Sequence, residues 1–502
     1  MKDTCSNSAP SKCMQQFHLP LKMVLLALLF ASVSTATAQS IVPGFDKSEF
    51  REMMLISVRT ASIEDYAENF PEPEHHTMIY QSKPIGLDNL WDLWTDDQNQ
   101  SAVISIRGTT EKPESWLANF YAAMVPAKGT LNIDPDFSFT YQLANDPKAA
   151  VHVGWLLSTA YLSREIVPRI KTLYAEGIKD FLIIGHSQGG AISYLLTAYL
   201  YHLRANGLLP ADIRFKTYSS AAPKPGNLYF AYEYEAMTQG GWAFNVVNAA
   251  DWVPEVPVSI QTLKDFNNIN PFVHARSIIK SQKFPAKLVL KHIYRKLDKP
   301  TRQAQKNYEK YLGNLASSVI KKNIPGYTPP AYYNSNDYVR TGVTIVLMPD
   351  ESYYKEFPDD STKLFRHHVH GPYLYLLDKL QDQNTAANTL FDATWELEYM
   401  SGLRIAFEGL FPQQKPQIRF NRQTHKAEGT DSCNGYAAPY QIQGNQITFG
   451  EPDPTTMRYC GEGEKQFLKM MEKVNKYQTD AEGKLSLLLD GVPVMRFKKI
   501  NG

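Results

Sequence analysis

Apolar and polar positions follow two regimes along the chain. From about residue 45 to 380, short apolar runs of strand length alternate with stretches whose apolar positions recur every three to four residues. The latter predict helices over 46–60, 152–174, 190–204 and 373–380. The former predict strands over 77–94, 102–106, 181–184, 216–219 and 244–247. Such alternation predicts an α/β sheet covered by helices. After a polar linker, 381–391, the pattern turns β-rich over 392–500. Strand-like alternation covers 417–420 and 441–449, one helix is predicted over 461–477, and 484–489 and 492–497 flank Asp490-Gly491, a tight hairpin signal.

The length of 502 residues calls for two domains or more. Lys and Arg number 52 against 51 Asp and Glu, so nothing global points to nucleic acid or an acidic partner. The start of the chain adds a compartment. Lys12 and Lys22 precede the apolar run Met23–Phe30, and small residues follow, ending Ala36-Thr37-Ala38. This reads as a signal peptide over 1–38, with export to the periplasm, cell envelope or exterior; a retained N-terminal anchor is the alternative. Cleavage removes Cys5 and Cys13 and leaves Cys433 and Cys460, an even pair that predicts a disulfide in an exported chain.

Candidate chemistry centres on Phe181–Ala191, FLIIGHSQGGA. A buried strand, the G-x-S-x-G of Gly185–Gly189 and a helix form the setting of a nucleophile elbow, with Ser187 as nucleophile. An orienting acid is expected on a loop after a later strand, where Asp251 stands between Asn248 and Pro254; Glu255 is the reserve. A base must follow, and Arg366–Tyr373 offers His367, His368 and His370. His370 is the first choice, because it directly precedes Gly371-Pro372 and an apolar helix; His368 is second. No carboxylate or Cys beside these histidines completes a metal ligand set, and no metal or cofactor is expected. Oxyanion donors are expected at the backbone N–H of Gln188 and at Thr109, after the strand that ends in Arg107-Gly108.

In order, these motifs resemble the class 3 (fungal-type) lipase family: Ile106-Arg-Gly-Thr109, Val151-His-Val-Gly154, Gly185–Gly190, Ala221–Asn227, Val246–Pro257, and His370 with Tyr375. The resemblance covers most of 45–380. It implies an α/β-hydrolase fold with a mixed, mainly parallel sheet, a Ser187-Asp251-His370 triad, an oxyanion hole from Thr109 and Gln188, and ester hydrolysis. His152 and His186 match structural positions. Where the family commonly has Leu this chain has Gln188, which leaves the backbone donor intact. The implied lid stretch, 111–149, carries Trp116, Leu117, Phe120, Tyr121, Met124 and Val125. In the C-terminal part, Thr394–Leu397, Asp431–Tyr436, Thr456–Cys460 and Leu485–Leu488 resemble the META domain known from HslJ-type proteins, which implies a small β-rich α+β fold without a defined chemistry.

A long insertion, about 260–335, separates Asp251 from the histidines. Residues 280–322 hold twelve Lys and Arg against Asp298 and Glu309, with apolar residues between them at helical spacing. Such a helix can present a solvated face, a cap over the site, or a surface for anionic lipid. Taken together, the residues predict an exported serine esterase acting on acylglycerols or phospholipids. The alternative is a non-catalytic envelope protein that binds through the META domain and the basic insertion.

Overall fold

A computed structural model describes residues 41–98, 100–380, 390–391, 393–401, 407–411, 414–421, 424–443, 446–454, 462–479 and 483–500. The predicted signal peptide, most of the linker and Cys460 lie outside the described residues.

Seven strands form the main sheet and lie side by side in chain order: β1 (His76–Gln81), β2 (Trp91–Asp96), β3 (Ser101–Ile106), β4 (Asp180–His186), β5 (Arg214–Ser220), β6 (Ala243–Asn248) and β7 (Val343–Leu347). The first three pair antiparallel, and β3 to β7 run parallel. This is the mixed, mainly parallel sheet of an α/β-hydrolase fold. β3, β4 and β6 are buried along their whole length, as continuous apolar runs covered on both faces should be. The expected strand over 77–94 is instead two, β1 and β2. Pro84 and Gly86 interrupt the run, and the chain folds back so that Met78 pairs with Trp94.

Adjacent residues of β5 show the two covered faces. Thr217 Oγ1 lies 2.7 Å from Thr197 Oγ1 on the helix Gln188–Ala205. The Tyr218 hydroxyl, on the other face, donates to Glu49 Oε1 at 2.6 Å on the helix Lys47–Thr60. That N-terminal helix begins where expected, because the Asp46 side chain accepts from the Glu49 N–H. Val153–Ala175 packs on Gln188–Ala205, and His370–Lys379 packs on Lys47–Thr60. The hairpin Lys128–Asp134/Phe137–Gln142 and the strand Met124–Pro126 contribute Leu131, Ile133 and Val125 to the same core.

Residues 394–500 build a separate nine-stranded sheet, with the helix Glu462–Met471 and the single turn Phe407–Leu410 among the described residues. Its core gathers Trp395, Tyr436, Phe467 and Phe497. The hairpin at Asp490-Gly491 forms as expected: both residues have positive φ, 51° and 85°, and Leu489 faces Val492. The helix predicted to reach residue 477 stops at Met471, because Lys476–Thr479 pairs as a strand with Leu485–Leu488. The long-range pairing overrides local helical spacing there.

Candidate active site

The carboxyl ends of the parallel strands carry the site. β4 ends at His186, and Ser187 turns the chain into the helix Gln188–Ala205 with φ 61° and ψ −128°. A non-glycine residue at positive φ is strained, and here neighbouring bonds hold it. The Ser187 N–H donates to Ser220 O at 2.9 Å. The close approach needs bare backbone on either side. A Cβ on Gly185 would sit 2.2 Å from the Gly189 backbone, and one on Gly189 would sit 2.2 Å from Ile106 O. The result is a half-exposed Ser187 between the buried His186 and Gln188.

Ser187 Oγ lies 2.8 Å from His368 Nε2, and His368 Nδ1 lies 2.7 Å from Asp251 Oδ2. A carboxylate only accepts, so the His368 proton sits on Nδ1 and Nε2 faces the serine hydroxyl as acceptor. Asp251 follows β6 and accepts two further bonds, from the Tyr373 hydroxyl at 2.8 Å and from the Val253 N–H at 3.0 Å. Its carboxylate is therefore fixed from three directions. His368 is held by its backbone: its carbonyl accepts from His186 Nε2 at 2.7 Å, and its N–H donates to Phe365 O at 3.0 Å. Asn248 Nδ2 reaches His367 O at 3.0 Å and so ties the end of β6 to the loop that carries the imidazole.

His370, the expected base, does not reach Ser187. Its Nδ1 lies 2.9 Å from the Tyr66 hydroxyl, and its Nε2 lies 3.2 Å from Ser57 Oγ. Being the first residue of the helix His370–Lys379, it points at the N-terminal helices rather than across the strand ends. Burial, with the nearby His368 adding to it, pushes the imidazole down to about 3, so it is a neutral structural group. His186 is likewise neutral, held well below its usual range by burial first and then by His370 and His368. His152, also pushed by burial to about 3, caps the helix Val153–Ala175. Glu255 is exposed on the short turn Val253–Glu255, while Asp251 takes the position beside the imidazole.

Thr109 and Gln188 meet through a third residue that the sequence did not single out. Asn119 Nδ2 donates to Thr109 Oγ1 at 2.9 Å. Asn119 Oδ1 accepts from Gln188 Nε2 at 3.0 Å and from Trp155 Nε1 at 3.0 Å. The Gln188 side chain also donates to Ser115 O at 3.0 Å. Ser115 and Asn119 lie on the helix Pro113–Phe120, so the elbow and the loop after β3 are clamped to one helix. A Cβ on Gly108 would come within 3.0 Å of His186 O, which shows how near that loop runs to Ser187. Gln188 begins its helix, so its N–H lies in the first turn, where intrahelical partners are lacking.

The expected lid stretch divides. On the helix Pro113–Phe120, Phe120 is exposed and Trp116 stacks on it with centroids 6.1 Å apart. Tyr121, Met124 and Val125 are buried and belong to the core instead. Trp116 also meets Phe365, which lies against Trp252 and His368, so an aromatic rim borders the imidazole. Next to it, a cavity of about 540 Å³ is lined by Leu364, Phe365, Val369 and Pro372. Among the described residues no group of three or more His, Cys, Asp or Glu is arranged to hold a metal ion.

Residues 103–260 match the family model for Lipase (class 3), and residues 388–501 match that for the META domain. The secreted mono- and diacylglycerol lipase 1 of Fusarium solani is 26% identical over 252 residues, 47% of this chain and 71% of the relative. The secreted mono- and diacylglycerol lipase MDL4 of Malassezia globosa is 33% identical over 129 residues, 25% of this chain and 39% of the relative. Among solved structures, lipase II from Rhizopus niveus is similar with a TM-score of 0.31 and 22% identity, covering 42% of this chain and 75% of that one. The Lip2 lipase from Yarrowia lipolytica gives a TM-score of 0.32 at 17% identity, over 44% and 77%.

Proposed function

We propose that this chain, which joins a class 3 lipase region to a META domain, is an exported serine hydrolase of acylglycerol esters. The observation that carries the reading is the run of contacts from Ser187 Oγ through His368 to Asp251, at 2.8 and 2.7 Å. In this mechanism His368 Nε2 takes the hydroxyl proton as Ser187 Oγ bonds to the ester carbonyl carbon. The carbonyl oxygen becomes an oxyanion, stabilised by the N–H groups of Gln188 and Thr109. The tetrahedral intermediate collapses, the ester C–O bond breaks, and His368 returns its proton to the departing glyceride oxygen. Water, deprotonated by the same imidazole, then attacks the acyl-enzyme and releases the fatty acid and Ser187. Asp251 keeps the imidazole in the required tautomer and stabilises its charged form.

The acylglycerol class is supported by the aromatic rim beside His368 and by the two relatives named as mono- and diacylglycerol lipases. Export is supported by the N-terminal pattern and by the same relatives, both named as secreted. The test is release of fatty acid from mono- and diacylglycerol emulsions by mature protein and by Ser187→Ala. Loss of release together with loss of fluorophosphonate labelling is expected. Undiminished hydrolysis by Ser187→Ala overturns the reading.

A further inference from the structure

The helix Ala286–Tyr308 in the insertion buries the wrong side of itself for a helix that serves only its own core. The side chains it turns toward the protein are polar or part-polar: Asp298 and Gln305 are its buried residues, and Tyr294 and Tyr308 are half-buried. Asp298 is paired with Arg302 at 2.7 Å, and Gln305 bonds Asn334. Val289, Ile293 and Leu297, spaced by four residues along the adjacent stripe, stand 55%, 47% and 68% exposed. Phe284, just before the helix, is 80% exposed, and the neighbouring helix Ala275–Ser281 adds Ile278 at 50%. Single exposed apolar residues need no explanation, but a continuous stripe of them does.

The charge around that stripe identifies what covers it. Lys283, Lys287 and Lys296 are exposed within the same stretch, 283–297, and residues 280–322 carry net +10 in a chain whose total is +1. A second copy of the same arm is disfavoured by repulsion between the two. An exposed apolar stripe on a lysine-rich helix matches the boundary between headgroups and acyl chains of an anionic bilayer. Among the described residues no helix is long and apolar enough to cross a membrane, so this one lies on the surface. It runs on through Glu309–Leu315 into the helix Ala316–Asn323, which packs against Pro113–Phe120, the helix clamped to the elbow. The arm is therefore continuous in structure with the rim of the serine site.

We infer that the amphipathic arm formed by Ala275–Ser281 and Ala286–Tyr308 is a docking element for an anionic lipid surface, with Ile278, Phe284, Val289, Ile293 and Leu297 entering the interface and the flanking lysines contacting the headgroups. It holds independently of whether Ser187 turns over an ester. Each cationic side chain near such a surface strengthens partitioning roughly fivefold.

The experiment uses the mature chain with Ser187→Ala, so that no vesicle lipid is consumed, and measures co-sedimentation with phosphatidylcholine vesicles with and without 30% phosphatidylglycerol. Binding is expected only with phosphatidylglycerol and falls steeply as salt is raised. The triple variant Lys283→Gln/Lys287→Gln/Lys296→Gln is expected to bind on the order of a hundredfold more weakly. Ile293→Ser/Leu297→Ser is expected to weaken binding at least tenfold and to leave less of it at high salt. With Ser187 restored, both variants are expected to retain fluorophosphonate labelling in solution, which shows that they fold and separates this test from that of the hydrolase reading. Equal binding to neutral vesicles, undiminished binding by the triple variant, or no vesicle binding with the arm engaged by a soluble acidic protein or a second copy overturns the inference.

Discussion

The imidazole of His186 lies against that of His370, with ring centroids 4.2 Å apart and planes 27° from parallel. Behind the serine, then, two uncharged histidines form a stacked floor, and a third, His368, touches both the nucleophile and the carboxylate. The division of labour among three histidines has a direct consequence for mutagenesis. His368→Ala is expected to lower kcat/KM by on the order of 10⁴-fold or more and to abolish fluorophosphonate labelling. His370→Ala keeps labelling within about tenfold but lowers the melting temperature, because it opens a buried space, removes the ring partner of the Ser57 hydroxyl and leaves the Tyr66 hydroxyl only the backbone N–H of residue 370. Labelling lost in the second variant and kept in the first would reverse the assignment.

Acid should unfold this protein through its buried imidazoles. His370 and His152 titrate at about 3 when folded, both mainly because of burial, against an ordinary 6.5. The unfolded chain therefore binds more protons than the folded one between these values, and stability is lost as pH falls from 6.5 toward 3. The slope reaches roughly 1.4 kcal/mol per pH unit for each such imidazole. Denaturant midpoints at pH 7.5 and pH 5.5 should differ in that direction. An unchanged midpoint would mean that these rings are hydrated.

Asn119 is expected to matter more than its distance from the chemistry suggests. Asn119→Ala leaves Gln188 Nε2 and Trp155 Nε1 short of an acceptor, at roughly 1–3 kcal/mol for each stranded buried group. It also frees Thr109. Activity on a soluble ester should fall at least tenfold, chiefly in kcat, while Ser187 labelling persists at a reduced rate. Wild-type kinetics in this variant would remove the clamp from the account.

Gly189→Ala places a Cβ 2.2 Å from Ile106 O, between the elbow and β3. Neither backbone can move without disturbing β3 or β4, so the substitution is expected to cost about 3 kcal/mol or more and to remove activity. A folded, active Gly189→Ala protein would show that the turn relaxes.

Cys433 stands beside Asp431, whose carboxylate accepts its N–H at 3.1 Å. A bond to Cys460 is expected to add about 2–4 kcal/mol in the mature exported chain. Mass spectrometry of unreduced peptides should find the two joined, and free thiols at both positions would refute the pairing.

Much of this was legible in the residues, for identifiable reasons. Ser187 stood out because an elbow needs strand, glycines and helix in sequence, which is local information. Asp251 was legible from its place after β6. The imidazole that reaches Ser187 was not, because the local sequence favours His370, directly before Gly371-Pro372, over His368 two residues earlier. What separates them is a long-range fact: His186 and Asn248 fix the backbone at His368 and His367, while His370 begins a helix that packs on Lys47–Thr60. Asn119 gave no signal, since an Asn on a short amphipathic helix is ordinary and its partners lie far away in sequence. The shortened helix Glu462–Met471 failed for a similar reason, a strand pairing with residues that follow later.

The crossover between β6 and β7 has a further meaning. Its exit is pinned, since the Asp251 N–H donates to Asn248 O at 3.0 Å and the Ala249 N–H donates to Leu347 O at 3.0 Å, and its return is fixed where Val343 pairs with Phe244. The basic arm hangs within this crossover, and the sheet fixes where the chain leaves and where it returns. Doubling the length of such a connection costs only about 0.6 kcal/mol in closure entropy. Changes of length in the part before Tyr308 are thus expected to cost little closure entropy, while Ala316–Asn323 must stay where it packs on Pro113–Phe120. That makes this connection the natural graft point for redirecting the enzyme to a different surface.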